Sequence, residues 1–461
     1  MKRFNYLVIA TLFFGVSLSS CDKDKDKNEE FTVTFNSNGG STALPQTVKK
    51  GEKVVKPENP TRDEYGFVAW YKDKELTNEW KFDTDVVTVN ITLYAKWQLG
   101  VYTVSFNSNG GSAVLPQSVN SWYNATKPDD PTRNGYIFVG WYSDEELKNR
   151  WFFDARNIVF SDITLYAKWS TADPLFKIDG LTIDNYPIVD GSTSNMPLNT
   201  LIACKLLDIG CDWASTYGMW NIEPNLNNNN SEKFWARVKS SQTHQSFINL
   251  IDNNADLTLS ARTMSPDEKE HADAAGVTLI ETPIALDAFI FVVNPNNPIK
   301  SLTIKQIQDI YTGKITNWSE VGGNNVKINP YVRNANSGSQ ELMESLVMKD
   351  LDFMEFPVSP EVINSMTGVF DRVSTDVSAI CYSVYYYKEM ILRGTHTKTI
   401  AIEGIYPDKE TISNISYPLV AEVYAIIRSD LDKSSMAYKL YELLQTQDGK
   451  RVIAESGYVP N

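Results

Sequence analysis

The sequence predicts a multidomain protein, with two small β-rich units in tandem followed by a larger α/β part. Three features of the chain point there. At 461 residues it is too long for one compact domain. The block from Phe31 to Trp97 recurs as Tyr102 to Trp169. Beyond residue 180 a short strand, a small-hydroxyl turn and an amphipathic helix recur in that order. Hydrophobic residues at 42% and charged residues at 22% describe an ordinary folding chain, neither disordered nor multiply membrane-spanning. The net charge of −14, from 43 basic and 57 acidic residues, argues against a nucleic-acid groove, which needs concentrated Lys and Arg. Three histidines are too few for a His-built metal centre, so no metal and no cofactor is expected.

The first thirty residues read as an address. Lys2 and Arg3 precede an apolar stretch from Tyr6 to Leu18, shorter than the roughly 18 residues that cross a bilayer. Leu18-Ser19-Ser20-Cys21 resembles a bacterial lipoprotein signal, in which cleavage falls before the cysteine and lipid is attached to it. An ordinary cleaved secretory signal is the alternative. The resemblance implies a signal peptide over 1–20 and a membrane anchor at Cys21. Residues 21–30 alternate acid and lysine, can bury nothing, and form a solvated tether. Their acidic character resembles the surface-export signal of Bacteroidota lipoproteins. The expected location is the cell envelope, at the outer membrane or cell surface, with periplasm-facing anchoring also open. Cys204, Cys211 and Cys381 make an odd number, so buried thiols are expected rather than a disulfide framework.

The repeated unit is close to identical at its signatures. Phe35-Asn36-Ser37-Asn38-Gly39-Gly40 returns as Phe106-Asn107-Ser108-Asn109-Gly110-Gly111, and Trp70-Tyr71 as Trp141-Tyr142. Ile91-Thr92-Leu93-Tyr94-Ala95-Lys96-Trp97 returns as Ile163 to Trp169. Alternation in Thr32-Val33-Thr34-Phe35 predicts strands, and Asn-Gly-Gly a tight turn. Each unit is small, so its tryptophans are expected in its core; an exposed-aromatic glycan site is the alternative. The pattern resembles the internalin B-type, or Listeria–Bacteroides, repeat. That resemblance implies β-grasp-like units over 31–98 and 102–170 that act as spacers or protein-contact modules.

After a linker near 171–180, Tyr186 to Asp190 reads as a strand leading through Gly191-Ser192-Thr193-Ser194 into a helix with Leu198, Leu201, Ile202 and Leu206. Tyr331-Val332-Arg333 leads likewise through Ser337-Gly338-Ser339 into a helix, where Ser337 and Gln340 fit a capping box. Thr243-His244-Gln245-Ser246 precedes a third helix, and Asp256 to Ser260 is a strand followed by Ala261 and Arg262. Ser265-Pro266-Asp267-Glu268 marks a helix start. Helix N-termini carry unpaired N–H groups and partial positive charge, and hydroxyls add neutral donors. Several such turns with one arginine suit a small oxyanion.

Asp190-Gly191-Ser192-Thr193-Ser194, Ser260-Ala261-Arg262, Ala285 to Phe289, Leu302 to Trp318, Arg333 with Ser337-Gly338-Ser339, and Gly457-Tyr458-Val459-Pro460 together resemble the periplasmic phosphate-binding proteins of ABC transporters. The resemblance implies a two-lobed α/β periplasmic-binding-protein fold over 176–461. One lobe would comprise about 176–288 and 422–461, the other about 289–421, with crossings near Pro283 to Asn294 and Tyr417 to Ile427. It further implies ligand contacts from Ser192, Thr193, Ser260, Arg262, Arg333, Ser337, Gly338 and Ser339, with Arg333 as the charge partner. For each serine the alternative is a plain helix cap, and for Arg262 a surface or interlobe ion pair. Where some members place an acid after the serine equivalent to Ser260, this chain has Ala261; Asp190 either substitutes for it or simply caps its turn.

The expected function is therefore a lipid-anchored solute-binding protein for phosphate or a similar small oxyanion, with an ABC permease as partner. The alternative is a surface adhesion or partner-binding lipoprotein that uses its repeats. No Ser–His–Asp set or carboxylate pair can be assembled, so no catalytic residue and no enzyme are expected.

Overall fold

A computed structural model of the protein describes residues 29–355 and 362–461. The signal, Cys21 and the tether as far as residue 28 lie outside the described residues. The chain divides into two compact units. One has its main segment end at Ser105 and adds Pro116–Lys127 and Phe153–Ile163; the other comprises Phe106–Leu115, Pro128–Phe152 and Thr164–Asn461.

In the first repeat four strands pair in the order Gln46–Lys49, Glu30–Asn36, Ile91–Leu99, Tyr65–Tyr71. The middle pair is parallel, with Val33 opposite Ile91. The repeated Asn-Gly-Gly is explained by geometry. Asn38 and Gly39 take positive φ, and a Cβ on Gly40 would stand 2.4 Å from the Trp97 ring. With that space open, the Trp97 indole N–H donates to the Ser37 carbonyl at 2.8 Å. Gly111 and Trp169 repeat the arrangement. The core forms around Trp70, 1% exposed, with Phe35 edge-on at 5.0 Å. In the second repeat, Ile137–Tyr142 pairs with Ile163–Ser170 with the same register irregularity, and Trp141 is as buried as Trp70. The signature tryptophans thus fill cores, while the second copy also leaves Trp122, Tyr123 and Phe160 exposed.

The α/β part is organised by one long strand, Leu279–Val293. Its first part, to Ala288, pairs antiparallel with Val420–Arg428; its second part, from Phe289, pairs with Ala379–Val384. The register shifts between Pro283 and Ala285, where proline has no N–H to give the ladder. Outward from Val420–Arg428 come Leu257–Ser260 and then Val189–Gly191. On the other side Ala379–Val384 pairs with Asn329–Pro330. The strand expected over Tyr186 to Asp190 forms only from Val189, since Pro187 offers no donor. The helix that follows spans Met196–Leu206 and buries Leu198, Leu201, Ile202 and Leu206. Cys204 and Cys381 are buried, and all three described cysteines are free thiols. The 171–180 stretch is tied down, with Phe176 fully buried and Asp173 paired to Arg451 at 2.7 Å.

A hairpin of Cys211–Thr216 and Met219–Pro224 turns at Tyr217-Gly218, both with positive φ. The Arg393 guanidinium stacks 4.6 Å from both Trp213 and Trp220. The second repeat grips this hairpin. Tyr142 donates to the Asp212 carboxylate at 2.6 Å, Lys168 pairs with the same carboxylate, and Arg150 donates to the Glu223 carbonyl.

Asp287 sits on the long strand, 2% exposed. One carboxyl oxygen accepts the N–H groups of Ala288 and Tyr386, and the other has no partner. Burial pushes its pKa up to about 7 against these two hydrogen bonds. The folded state therefore holds the proton between the unfolded value near 4 and about 7, so stability falls as pH rises through that window. Asp287→Asn is expected to flatten this part of the urea-unfolding profile measured from pH 4 to 8, and to be more stable than the parent at pH 8.

Candidate functional site

Four helix starts surround one cavity of about 490 Å³. The first follows the Val189–Gly191 strand. A Cβ on Gly191 would lie 2.6 Å from the Leu259 carbonyl, so only glycine lets the two strands run this close. Ser192 is 4% exposed and its N–H donates to that same carbonyl, leaving the hydroxyl beside Ser194 at 3.2 Å. Neither Ser192 nor Asn195 caps its helix through a side chain.

The second start is the helix Thr243–Ile251, again without a side-chain cap, entered through Gln242 at φ 69°. The third is Gly338–Leu342, continued by the wider turns of Met343–Met348. Here Ser337 accepts from the Gln340 N–H, which is half of the expected capping box. The other half does not form, because the Gln340 amide oxygen accepts from the Arg333 N–H and the Tyr382 hydroxyl. The fourth, Met366–Thr375, is capped by Ser365 on the Gly368 N–H.

Arg333 enters from the strand Val332–Arg333 and is 6% exposed. Its guanidinium donates to the Ile363 carbonyl at 2.9 Å and to the Ser339 hydroxyl at 3.2 Å, and touches the Met366 sulfur. It forms no ion pair among the described residues. Burial pulls its pKa below the ordinary guanidinium value, the mark of a cation taken from water with no counter-charge beside it. The described residues that line the cavity include no Asp or Glu.

Of the residues expected to contact ligand, Ser192, Thr193, Arg333, Ser337, Gly338 and Ser339 all line this cavity. Ser260 and Arg262 do not. The Ser260 hydroxyl turns back onto the Arg262 carbonyl at 2.7 Å. Arg262 forms a two-pronged pair with Glu268 at 2.7 and 2.8 Å, an ion pair that is buried rather than on the surface or between lobes. Glu268 also accepts from the Ser265 N–H, completing that capping box, and from His244 Nδ1 at 3.0 Å. Ala261 faces the cavity in place of an acid. Asp190 is fully buried and accepts from Gly191, Ser241 and Asn249, which makes it a turn cap.

Thr243, His244 and Gln245 line the cavity, as do Asn364, Ser365 and Thr367 at the fourth helix start. The fourth turn is absent from the sequence-based expectation, although Asn364-Ser365-Met366-Thr367-Gly368 combines hydroxyls with a glycine as Ser337-Gly338-Ser339 does. The walls meet closely: a Cβ on Gly338 would stand 2.8 Å from the Thr243 hydroxyl. Beside this contact Asn336 donates to Asp267 at 2.9 Å, and Arg262 reaches the Asn336 carbonyl. Among the described residues no group of three or more His, Cys, Asp and Glu is placed to hold a metal ion, and no helix is long and apolar enough to cross a membrane.

Comparison with known proteins agrees with this anatomy. The Listeria-Bacteroides repeat domain matches residues 31–96 and 102–168, and the PBP superfamily domain matches 227–440. The chain is 33% identical across 146 residues to internalin H of Listeria monocytogenes. That match takes in 32% of this chain and 26% of internalin H. The chain spans 16% to 26% of the length of internalin H and of two membrane proteins of Evansella cellulosilytica that it also matches. It is 25% identical across 237 residues to the phosphate-binding protein PstS of Borreliella burgdorferi, covering 50% of this chain and 81% of that one. Among solved structures, an ABC-type phosphate transport receptor from Vibrio cholerae is similar with a TM-score of 0.44 at 24% identity, over 62% of this chain and all of that one. The chain joins two Listeria-Bacteroides repeat domains to an α/β domain of the PBP superfamily.

Proposed function

We propose that this protein is a solute-binding protein that captures phosphate or a similar small tetrahedral oxyanion, held to the cell envelope by lipid on Cys21 and serving an ABC-type permease. The observation that carries the reading is Arg333: a buried guanidinium with no ion-pair partner among the described residues, facing a cavity lined by hydroxyls and helix starts. Such a cation is costly alone and becomes favourable when an anion arrives. Ser192, Thr193, Ser337 and Ser339 supply hydroxyl donors, and the N–H groups at Gly338 and Ser339 and at Thr243 to Gln245 supply backbone donors. The helix starts add partial positive charge without desolvating more cations. PstS relatives in Borreliella burgdorferi and Bacillus subtilis are phosphate-binding proteins by name, in keeping with this chemistry.

The binding protein needs no reacting group. Its work is to replace the anion's hydration shell with fixed donors, and to do so at a contact between two walls that meet at Gly338 and Thr243. With Ala261 where an acid could accept a phosphate proton, and no Asp or Glu among the described lining residues, nothing in the cavity selects strongly against sulfate.

Calorimetric titration of the purified protein is expected to show binding of phosphate, with sulfate within about tenfold in affinity. Arg333→Ala should weaken binding by about a hundredfold or more, while Lys305→Ala, on an exposed helix face, leaves it unchanged. Absence of heat with either anion sinks the reading. Gly338→Ala places a methyl against Thr243 and should cost about tenfold in affinity. Cys21→Ala should move the protein from the membrane fraction to the soluble fraction of lysed cells; retention in the membrane fraction would refute the lipid anchor.

A further inference from the structure

We propose that the preferred ligand is an organic oxyanion, a phosphate monoester or phosphonate whose apolar or aromatic substituent enters a second cavity beside the anion site. This rests on the reading that Arg333 and the surrounding helix starts hold the anionic group. The anion cavity, about 490 Å³, has the size of a pocket for a small organic molecule. A water molecule takes about 30 Å³ of liquid, so a five-atom oxyanion fills only a small part of it.

The second cavity, about 240 Å³, shares Thr193 and Tyr387 with the first. Thr193, one of the hydroxyls offered to the anion, and Tyr387 therefore border both spaces. Beyond that shared wall the chemistry changes. Met196, Pro197, Met219, Trp220 and Ile391 supply an apolar lining. Glu223 also contributes to the wall, which disfavours a second anionic group there and points to a neutral substituent. The hairpin strand Met219–Pro224 provides this wall, and Trp220 is held in place by the Arg393 guanidinium stacked 4.6 Å from its ring. A free inorganic anion would leave this preformed apolar space in contact with water; a phenyl or alkyl group would fill it.

Calorimetry with inorganic phosphate and with phenyl phosphate on the full chain decides the matter. Phenyl phosphate should bind at least tenfold more tightly than phosphate. Trp220→Ala and Met219→Ala should each bring that ratio towards one while changing phosphate affinity less than twofold. Arg333→Ala should weaken binding of both by about a hundredfold or more. Phosphate binding equal to or tighter than phenyl phosphate overturns this inference and leaves the oxyanion reading standing. An unchanged ratio in both hairpin variants, with phosphate affinity retained as the sign of correct folding, overturns it as well. No binding of either compound overturns the oxyanion reading and this inference together.

Discussion

A guanidinium removed from water without a carboxylate beside it is the constraint around which the cavity of the α/β part is arranged. Taking such a charge out of water costs several kcal/mol, even after the surroundings relax. Arg333 recovers part of that cost through the Ile363 carbonyl and the Ser339 hydroxyl. The remainder stays as an electrostatic field in the cavity. Because the neighbouring donors are neutral, the field is not cancelled, and because they sit at helix starts, it is reinforced. The overall charge of −14 resides on the chain as a whole and does not set the sign of this small volume.

Arg262 shows the opposite solution a short distance away in the same domain. Its charge is fully answered by Glu268, whose carboxylate also caps a helix and meets His244. The pair anchors the wall that carries Asn336. One arginine has its charge balanced and holds the frame; the other is left unbalanced and faces the cavity. Backbone strain is found at the same place: Gln242 and Asn336, neither of them glycine, both take positive φ at the entrances to helices that line the cavity. Such conformations cost about 1–3 kcal/mol each and persist where surrounding contacts hold them.

Much of this was legible in the chain. The repeats declared themselves by period, and the Asn-Gly-Gly signature could be read as a turn, although the passage of Trp97 over Gly40 could not. Arg333 with Ser337 to Ser339 stood out because a strand, a hydroxyl turn and a helix are local patterns. Ser260 and Arg262 follow a strand in the same way, with an ion pair already an open alternative for the arginine. What separated them was Glu268, placed six residues on, whose role as a capping-box acid concealed its second role as the arginine's partner. The same limit applied to Gln340, which spacing assigned to a cap and tertiary contacts drew to Arg333 and Tyr382. Long-range partners are set by the sheet, where Val189–Gly191 and Leu257–Ser260 become neighbours, and no local pattern carries that information.

The grip of the second repeat on the hairpin uses Tyr142 and Lys168, both part of the repeated signature, with Tyr71 and Lys96 as their counterparts in the first copy. The specific partner, Asp212, is contributed by the other side of the joint. Both copies in this chain therefore carry these two joint residues, and only the second uses them on the hairpin of the α/β part. The third contact, from Arg150 to the Glu223 carbonyl, belongs to the second copy alone, because the first copy has Glu79 at that position; the joint is thus part shared signature and part individual adaptation.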